Sequence, residues 1–402
     1  MVCVCHGIRY IFPGNCYSER PYLADIAKGM NKAHGMIGVA EDLLWPGKRL
    51  AAQVGILLPR SSYCWDSVTV EGELQNLENL TEHVSDYAAE VYGIYLALNV
   101  HANIQVDILD EDMVSSQDAL SSLKLLIVTE PNVPEEAMSA ISRWVKAGGT
   151  LLTTSGAATA DRLNDTSAIL RNLTGIVEEP RCRLNINYRT SNYCCCSPCP
   201  NISWPVAARG KMHWPTAIHG GFAAIGIRSK SSFSPTHSAT TQATTLGSFV
   251  DGSAAVVRTT VGNGAALHFN FLPGLSYLEN ATNWQRLPLP SEFPAVLRAA
   301  LMAATADAGV QPLVHCSSEF VETPMLLSSA GAVLTVLNWG DRAFTAQQPL
   351  EMNVTLPFKP VKVESAESAR ELRFDVVRRD GDNVVVCVKL DQLDAADFVL
   401  FT

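Results

Sequence analysis

Four consecutive segments decide the fold: Leu123-Lys-Leu-Leu-Ile-Val128, a helical segment at 134–147, the pair Gly148-Gly149, and Thr150-Leu-Leu-Thr153. The two apolar runs have the length of strands and do not alternate, which is typical of strands buried on both faces of a parallel sheet. A glycine pair is a common way to end a helix before a strand. This order predicts a crossover unit that joins two parallel strands.

The same alternation of strand and helix begins further upstream. Val54-Gly-Ile-Leu-Leu58 is an apolar run, a helical pattern covers 83–99, and Ile104-Gln-Val-Asp-Ile108 reads as a second strand. Another helix is predicted at 161–173. We therefore predict an α/β domain built on a flavodoxin- or amidotransferase-like parallel sheet.

Three segments describe the predicted domain organisation. Residues 1–50 offer one strand and one helix, at 22–44, which are too few to bury themselves. Residues 51–310 hold the α/β domain, with an insertion at about 178–245 that is rich in Ser, Thr, Pro, Asn and Cys and has a few short strands. Residues 311–402 carry short strands in series, which predicts a small antiparallel β-sandwich.

Composition excludes several classes of partner. The 402 residues are 47% hydrophobic and 17% charged, which is typical of a chain with a substantial packed core. The net charge of −10 and the lack of a basic run argue against nucleic acid. No apolar run approaches the roughly 18 residues that a bilayer-spanning helix needs, so no membrane partner is expected.

The eleven cysteines do not form a recognisable metal set. Cys196-Ser-Pro-Cys199 is a formal CxxC motif, but no second CxxC and no histidine pair accompanies it. A surface loop with free thiols or disulfides explains this segment better than zinc. We expect no metal and no cofactor.

Six Asn-x-Ser/Thr sequons suggest a secretory or extracellular route. The N-terminal residues have no basic region and no cleavage site of a signal peptide, so that route requires a true N-terminus further upstream. Localisation is otherwise unknown. The sequons lie at Asn79, Asn164, Asn172, Asn201, Asn280 and Asn353.

No self-sufficient catalytic motif appears in the chain. There is no GxSxG elbow, no GxGxxG after the first strand and no HExxH. An amidotransferase-like enzyme would need an unusual nucleophile, for which Cys64 and Ser155 are the candidates. Several carboxylates could in principle form a glycosidase pair, although a solvated acidic face explains them more simply. These carboxylates are Glu71, Glu73, Glu78, Asp107, Asp110, Glu111 and Asp112.

The loop after the first strand, Pro59-Arg-Ser-Ser-Tyr-Cys-Trp-Asp66, is polar and aromatic. Open α/β sheets bind ligands at the carboxyl ends of their strands. Anchoring of the loop, or contact with a neighbouring subunit, explains Tyr63 and Trp65 better than a ligand site does. Tyr63, Trp65 and Asp66 are therefore candidates for an interface.

The order of these parts resembles the non-catalytic portion of β-galactosidase-like glycoside hydrolases of family 42. The likeness rests on Val54–Asp66, Tyr92–Asp107, Leu125–Leu152 and the hairpin Val261-Gly-Asn-Gly-Ala-Ala-Leu-His-Phe-Asn-Phe271. The family has a catalytic TIM barrel, a trimerisation domain of amidotransferase-like fold and a small β domain. The resemblance implies that residues 1–50 are a remnant of the barrel's end and that the barrel is otherwise largely absent.

The resemblance implies accessory and oligomerisation domains without a complete catalytic site, and a homo-oligomer, a trimer, as the assembly. No residue matches either catalytic carboxylate of the family, so whether the chain is an enzyme stays open. A carbohydrate substrate is implied only if a full-length barrel exists. The alternatives are an independent amidotransferase-like enzyme that uses Cys64 or Ser155, or a carbohydrate-binding module that uses the turn Asn338-Trp339-Gly-Asp341.

Overall fold

A computed structural model describes residues 23–58, 60–62, 65, 86–116, 118–179, 182–183, 208–214, 218–233, 243–279, 281 and 290–402. The chain is mixed α/β and divides into two compact units. The sheet unit comprises residues 52–98 and 106–311, and the sandwich unit comprises 1–51, 99–105 and 312–402. The sheet unit is therefore inserted in sequence within the sandwich unit.

The elements up to residue 178 are these, in chain order: α1 (Leu23–Leu44), β1 (Lys48–Arg49), β2 (Val54–Leu57), α2 (Asp86–Tyr95), β3 (Val106–Leu109), α3 (Glu111–Ser115), β4 (Leu125–Val128), α4 (Glu135–Ala147), β5 (Thr150–Thr153), α5 (Ile169–Thr174) and β6 (Ile176–Glu178). A π-helical turn, Leu96–Val100, follows α2.

The elements from residue 182 to 307 are β7 (Cys182–Arg183), β8 (Ala208–Trp214), β9 (Ile218–Ala224), β10 (Ile227–Arg228), β11 (Ser231–Phe233), β12 (Ala243–Phe249), β13 (Ala254–Val261), β14 (Gly264–Phe269), α6 (Pro273–Tyr277) and α7 (Ala295–Asp307). The remaining strands are β15 (Val314–Cys316), β16 (Val321–Glu322), β17 (Met325–Ser328), β18 (Gly331–Asn338), β19 (Leu350–Leu356), β20 (Val363–Ser365), β21 (Arg370–Glu371), β22 (Phe374–Asp380), β23 (Asn383–Leu390) and β24 (Ala396–Phe401).

The sheet unit is built on a sheet of nine described strands in the order β3-β2-β4-β5-β14-β13-β12-β8-β9. The pairs from β3 to β14 are parallel, whereas those from β14 to β9 are antiparallel. Strands β2, β4 and β5 are buried at every position. Burial on both faces explains why these strands are apolar throughout rather than alternating.

One face of the parallel strands packs against α4 and α5. Helix α4 presents Ala137, Met138, Ile141 and Val145 to the sheet at helical spacing. It ends at Gly148, whose φ of 134° is a conformation that favours glycine. Helices α2 and α6 pack together so closely that a Cβ built on Gly93 would lie 2.0 Å from the carbonyl oxygen of Gly274.

Two segments of the sheet unit differ from the sequence predictions. Only Ile169–Thr174 is helical in the segment predicted as a helix at 161–173, because 161–168 forms turns whose backbone is bonded to the Asp161 carboxylate. In the predicted insertion at 178–245, β8 and β9 are seven-residue strands of the main sheet. Strand β8 alternates strictly between buried and exposed residues, although its composition is polar. Its exposed residues are Arg209, Lys211 and His213, and its buried ones are Ala208, Gly210, Met212 and Trp214.

The sandwich unit packs a sheet ordered β1-β17-β18-β24-β20-β21, with β16 also paired to β18, against a sheet ordered β15-β19-β23-β22. Alternate residues of both sheets fill one core, for example Leu334 and Phe401 from the first sheet and Met352 and Val386 from the second.

Helix α1 covers the outer face of the first sheet. Met36, Ala40 and Leu43 pack against residues such as Val333 and Phe398, which point away from the sandwich core. This explains why β18 is buried on both faces. The sequence analysis required a partner for the single helix predicted at 22–44, and the first sheet of the sandwich is that partner. The strand predicted within residues 1–22 lies outside the described residues, and the origin of this segment in a barrel stays a prediction.

Candidate functional site: the carboxyl edge of the parallel strands

Strands β2, β3, β4 and β5 all end at one edge of the sheet. The chain passes from β2 outward to β3 and then returns to β4 on the other side of β2. The strand order thus reverses between β2 and β4. Such a switch point leaves a crevice outside the strand ends, where α/β sheets usually bind their ligands.

Described residues bond one another across this switch point. The Ser62 hydroxyl donates to the main-chain oxygen of Asn132 at 3.0 Å and accepts from the Asn132 main-chain amide at 2.8 Å. Ser62 follows β2 and Asn132 follows β4, so the pair bridges the switch point. Both residues are buried. These polar groups are therefore already paired at the point where an open site would offer them to a ligand.

A second bridge ties the same loop to the end of β3. The Glu111 carboxylate accepts from the Ser61 amide at 2.6 Å and from the Ser61 hydroxyl at 3.0 Å. Glu111 is buried, whereas its neighbour Asp112 is exposed and pairs with Arg60. The prediction of a wholly solvated acidic face was therefore wrong for Glu111. Its carboxylate faces inward because the loop after β2 supplies two donors.

The predicted interface residues have different outcomes. Tyr63 and Asp66 lie outside the described residues, as does Cys64. Trp65 is 37% exposed, and its indole Nε1 donates to the main-chain oxygen of Arg162 at 3.1 Å. Trp65 thus anchors the loop after β2 to the loop after β5. Its role at an interface stays a prediction.

A buried polar network centred on Glu178 lies beside the end of β5. Its carboxylate accepts from the Gly156 amide at 3.0 Å, from the Ser229 hydroxyl at 2.7 Å and from His268 Nε2 at 3.1 Å. The other ring nitrogen, Nδ1, is 2.9 Å from the Thr153 hydroxyl. The network joins β5, β6 and β14 through side chains at their ends.

The donors around Glu178 fix its charge. Burial favours the neutral acid, but hydrogen bonds from His268, Ser229 and Gly156 outweigh burial and hold the pKa below its usual value of 4.5. A carboxylate at neutral pH requires a proton on His268 Nε2 for the 3.1 Å bond. The imidazole is held between two groups of the protein itself.

Ser155 does not have the surroundings of a nucleophile. It is fully buried, and its hydroxyl has no hydrogen-bond partner among the described residues. The nearby imidazole of His268 is engaged by Thr153 and Glu178 instead. The segment Thr153–Gly156 makes an ordinary turn in which Gly156 donates to a carboxylate, so it does not present a cradle of free amides to a phosphate.

Glu90 on α2 is a further buried carboxylate. One oxygen accepts from the Leu275 amide at 2.7 Å, at the first turn of α6, while Oε1 has no partner within the described part of the chain. Burial raises the pKa of Glu90 to about 8, although the amides of Leu275 and Gly274 act in the opposite direction. Glu90 is therefore largely neutral at physiological pH.

Sequence reasoning missed Glu178, His268 and Glu90. One signal was available for His268, which interrupts the apolar run Ala265-Ala-Leu-His-Phe-Asn-Phe271 with a polar ring on a strand. Because buried polar groups are nearly always hydrogen-bonded, such a position predicts a partner. The identity of that partner depends on the fold, since Glu178 lies far away in sequence.

The described residues contain no cluster of side chains suited to a metal ion. Among the same residues, no helix combines the length and the apolar character that crossing a membrane requires.

No family model matches this sequence, and no curated protein does. Solved structures match it. The β-galactosidase from Bacillus circulans sp. alkalophilus superposes with a TM-score of 0.60 at 15% identity, over 96% of this chain and 46% of that one. The β-galactosidase from Rahnella sp. R3 gives a TM-score of 0.60 at 14% identity, over 93% and 44% of the two chains.

A catalytic mutant of a GH42 β-galactosidase from G. stearothermophilus gives a TM-score of 0.54 at 15% identity, over 94% of this chain and 43% of that one. This chain has a partial β-galactosidase-like fold. It spans less than half the length of each of these enzymes. At this identity the likeness establishes the fold alone.

Proposed function

We propose that this chain is a β-galactosidase-like, glycoside-hydrolase-related protein that carries accessory and oligomerisation domains without a complete catalytic site. The closed crevice at the switch point carries the proposal. Ser61, Ser62, Glu111 and Asn132 satisfy one another where an enzyme of this fold would bind its substrate. A site whose polar groups are already paired has little to offer a ligand.

The proposal includes the finer assignment of the sheet. The order β3-β2-β4-β5, numbered from its own first strand, is 2-1-3-4, which is the order of flavodoxin-like sheets. This order, with α4 and α5 on one face, supports an amidotransferase-like domain that serves as a scaffold. Its work is then to hold subunits together.

The surface of the sheet unit supports an oligomer. Leu58, Ile108 and Met113 are exposed large hydrophobic residues that lie just after β2, on β3 and on α3. The exposed ion pair of Arg60 and Asp112 joins the segment after β2 to α3. Apolar residues with charged neighbours of both signs are typical of a surface that packs against another protein. Tyr63, Trp65 and Asp66 belong to the same loop and remain candidates for this interface.

Light scattering after size exclusion tests the assembly. We expect a trimer with a mass three times 43.5 kDa, and we expect the double variant Leu58→Glu, Met113→Glu to run as a monomer with an unchanged circular dichroism spectrum. Val250→Glu, an exposed valine on a turn after β12, is the matched control and should remain trimeric. A wild-type monomer would refute the oligomerisation role.

Hydrolysis of o-nitrophenyl β-galactoside tests the other half of the proposal. We expect no turnover above a heat-treated sample of the same chain. Turnover that persists through purification would show a complete catalytic site and overturn the proposal, whatever the oligomeric state.

A further inference from the structure

Trp339 stands out in the sandwich unit because it presents a large aromatic ring to solvent. It follows the last residue of β18 and is 41% exposed. Exposing a tryptophan to water is unfavourable in free energy, since its ring can bury more apolar area than almost any other side chain. Single exposed apolar residues are common, so the exposure alone proves nothing. What distinguishes Trp339 is how firmly it is held.

Two hydrogen bonds to other segments of the sandwich unit hold Trp339 in its exposed position. Indole Nε1 donates to Oε2 of Glu322 at 2.9 Å, and Glu322 is only 2% exposed. The Trp339 amide donates to the main-chain oxygen of Phe320 at 2.8 Å. A buried carboxyl group thus sets the direction of the ring, because the bond to indole Nε1 favours one geometry.

The turn that carries the ring is fixed from both sides by Asn338. Its side-chain amide donates to the main-chain oxygens of Arg342, at 2.8 Å, and Asp394, at 2.9 Å. Its side-chain oxygen accepts from the Gly340 amide at 3.0 Å. These three bonds close the turn and tie it to the segment before β24.

The backbone at Phe320, which accepts the hydrogen bond from the Trp339 amide, is strained. Phe320 has a φ of +62°, a left-handed conformation that is uncommon for a bulky residue. Phe320 is buried and packs edge-on against His101, with ring centroids 4.5 Å apart. Such strain persists only where the surroundings enforce it, and it concentrates at binding sites.

The turn of Trp339 also carries exposed charged residues, which we call its rim. Asp341 and Arg342 follow Trp339 in sequence, and the main-chain oxygen of Asp394 accepts from Asn338; all three are exposed. An exposed aromatic ring with carboxylate and guanidinium groups in the same turn suits a pyranose ring. The C–H face of a pyranose is apolar, and its hydroxyls both donate and accept hydrogen bonds.

We propose that Trp339 is the stacking platform of a carbohydrate-binding site in the sandwich unit, with Asp341, Arg342 and Asp394 as partners for the sugar hydroxyls. Because ring and turn are already ordered, binding costs little conformational entropy, and a shallow site can still hold a sugar. The proposal does not depend on the oligomeric state or on the absence of a catalytic site.

Titration calorimetry and saturation-transfer NMR on the full chain, with lactose and cellobiose as probes, test the site. We expect a Kd of about 0.1–10 mM for at least one disaccharide, as suits a small exposed platform. Trp339→Ala should raise that Kd at least about tenfold, the loss expected when an aromatic stacking partner is removed. Trp339→Phe keeps a ring and should lose less than Trp339→Ala.

Trp45→Ala is the matched control, since Trp45 is also exposed in the sandwich unit but lies at the end of α1. Its Kd should stay within about twofold of wild type. Asp341→Ala tests the rim without touching the ring, and a Kd raised severalfold is expected even if Trp339→Ala does not fold. The highest sugar concentration is about 50 mM, roughly five times the weakest expected Kd. If wild type bound neither sugar at that concentration, the proposal would be overturned. An unchanged Kd in Trp339→Ala would do the same.

Discussion

The carboxyl edge of the parallel strands and the turn around Trp339 are built with the same kinds of bond. At the edge, Ser62 and Asn132 bond each other and both are buried. At the turn, Glu322 and Asn338 hold an aromatic ring that remains half-exposed. A hydrogen-bond network therefore does not by itself mark a binding site. What matters is whether the network ends on the protein or leaves a group facing solvent.

The comparison gives opposite expectations for mutations in the two regions. Changes at the edge should lower stability and leave sugar binding intact. Changes at the turn should lower sugar binding and cost little stability.

Gly93→Ala should have the largest effect on stability. Its Cβ would lie 2.0 Å from the Gly274 carbonyl oxygen, so α2 and α6 must separate, and we expect a loss of about 3–5 kcal/mol in the free energy of unfolding. Gly35→Ala in α1 is the control, because no atom lies within 4 Å of its added Cβ. That substitution should stabilise by about 0.5–1 kcal/mol. Urea unfolding measures both, and equal effects would contradict the packing described for α2 and α6.

Glu111→Ala should cost about 2–3 kcal/mol, because it leaves the buried Ser61 donors without an acceptor. Asp112→Ala, one residue on, removes only an exposed ion pair with Arg60 and should leave the stability close to that of wild type. Chemical denaturation of the two variants compares a buried with an exposed carboxylate in the same helix. Sugar binding at the Trp339 turn should be unaffected in both. If Glu111→Ala were as stable as wild type, the crevice would not be closed as described.

Glu90→Gln tests the buried carboxylate on α2 through pH. The folded pKa of about 8 lies above the unfolded value near 4.5, so the unfolded state releases its proton first as pH rises. The contribution of Glu90 to stability is therefore complete below about pH 4.5 and is lost progressively toward pH 8. Glu90→Gln should be more stable than wild type at pH 9, on the order of 1–3 kcal/mol, and the difference should shrink at pH 5.

Urea midpoints at the two pH values measure this change, with exposed Glu135→Gln as the control. The control should follow wild type at both values. A pH profile of Glu90→Gln that is identical to that of wild type would show that Glu90 is ionised when folded.

Asn338→Ala should lower the free energy of unfolding by only about 1 kcal/mol, since water can replace its bonds at a partly exposed turn. Its effect on sugar binding should be larger in proportion, a Kd raised severalfold, because the ring loses its fixed position. Calorimetry with the disaccharide that binds wild type decides this. A stability loss of several kcal/mol with unchanged binding would reverse the roles assigned to the two regions.

The sequence predicts the parallel strands well because each is short, apolar and bounded by residues that favour turns or end helices. Thr150–Thr153 has its predicted bounds, and Gly148 ends α4 as expected. Strand Leu350–Leu356 also has its predicted bounds, because its burial alternates with period two. Predictions of this kind depend only on local pattern, which tertiary contacts here reinforce.

The sequence does not predict which polar residues meet. Ser61 and Glu111 are 50 residues apart, and His268 and Glu178 are 90 residues apart, so nothing local relates them. Ala208–Trp214 was obscured for another reason, since charged residues on its outer face lower its apparent hydrophobicity. The loop with Tyr63, Cys64 and Asp66 could be assigned to the sheet's edge by order alone, but its contacts could not.

The position of α1 has a consequence for how the chain is made. Roughly 290 residues separate Leu43 from Val333, against which its helix packs. At about 5–20 residues per second, the ribosome needs roughly 15–60 s to supply that partner. During this time the sheet unit, whose sequence is complete by residue 311, can fold, while the apolar face of α1 has no sheet to cover. Helix α1 is therefore synthesised well before the sheet that covers it, and its apolar face needs protection, for example by a chaperone, during that interval.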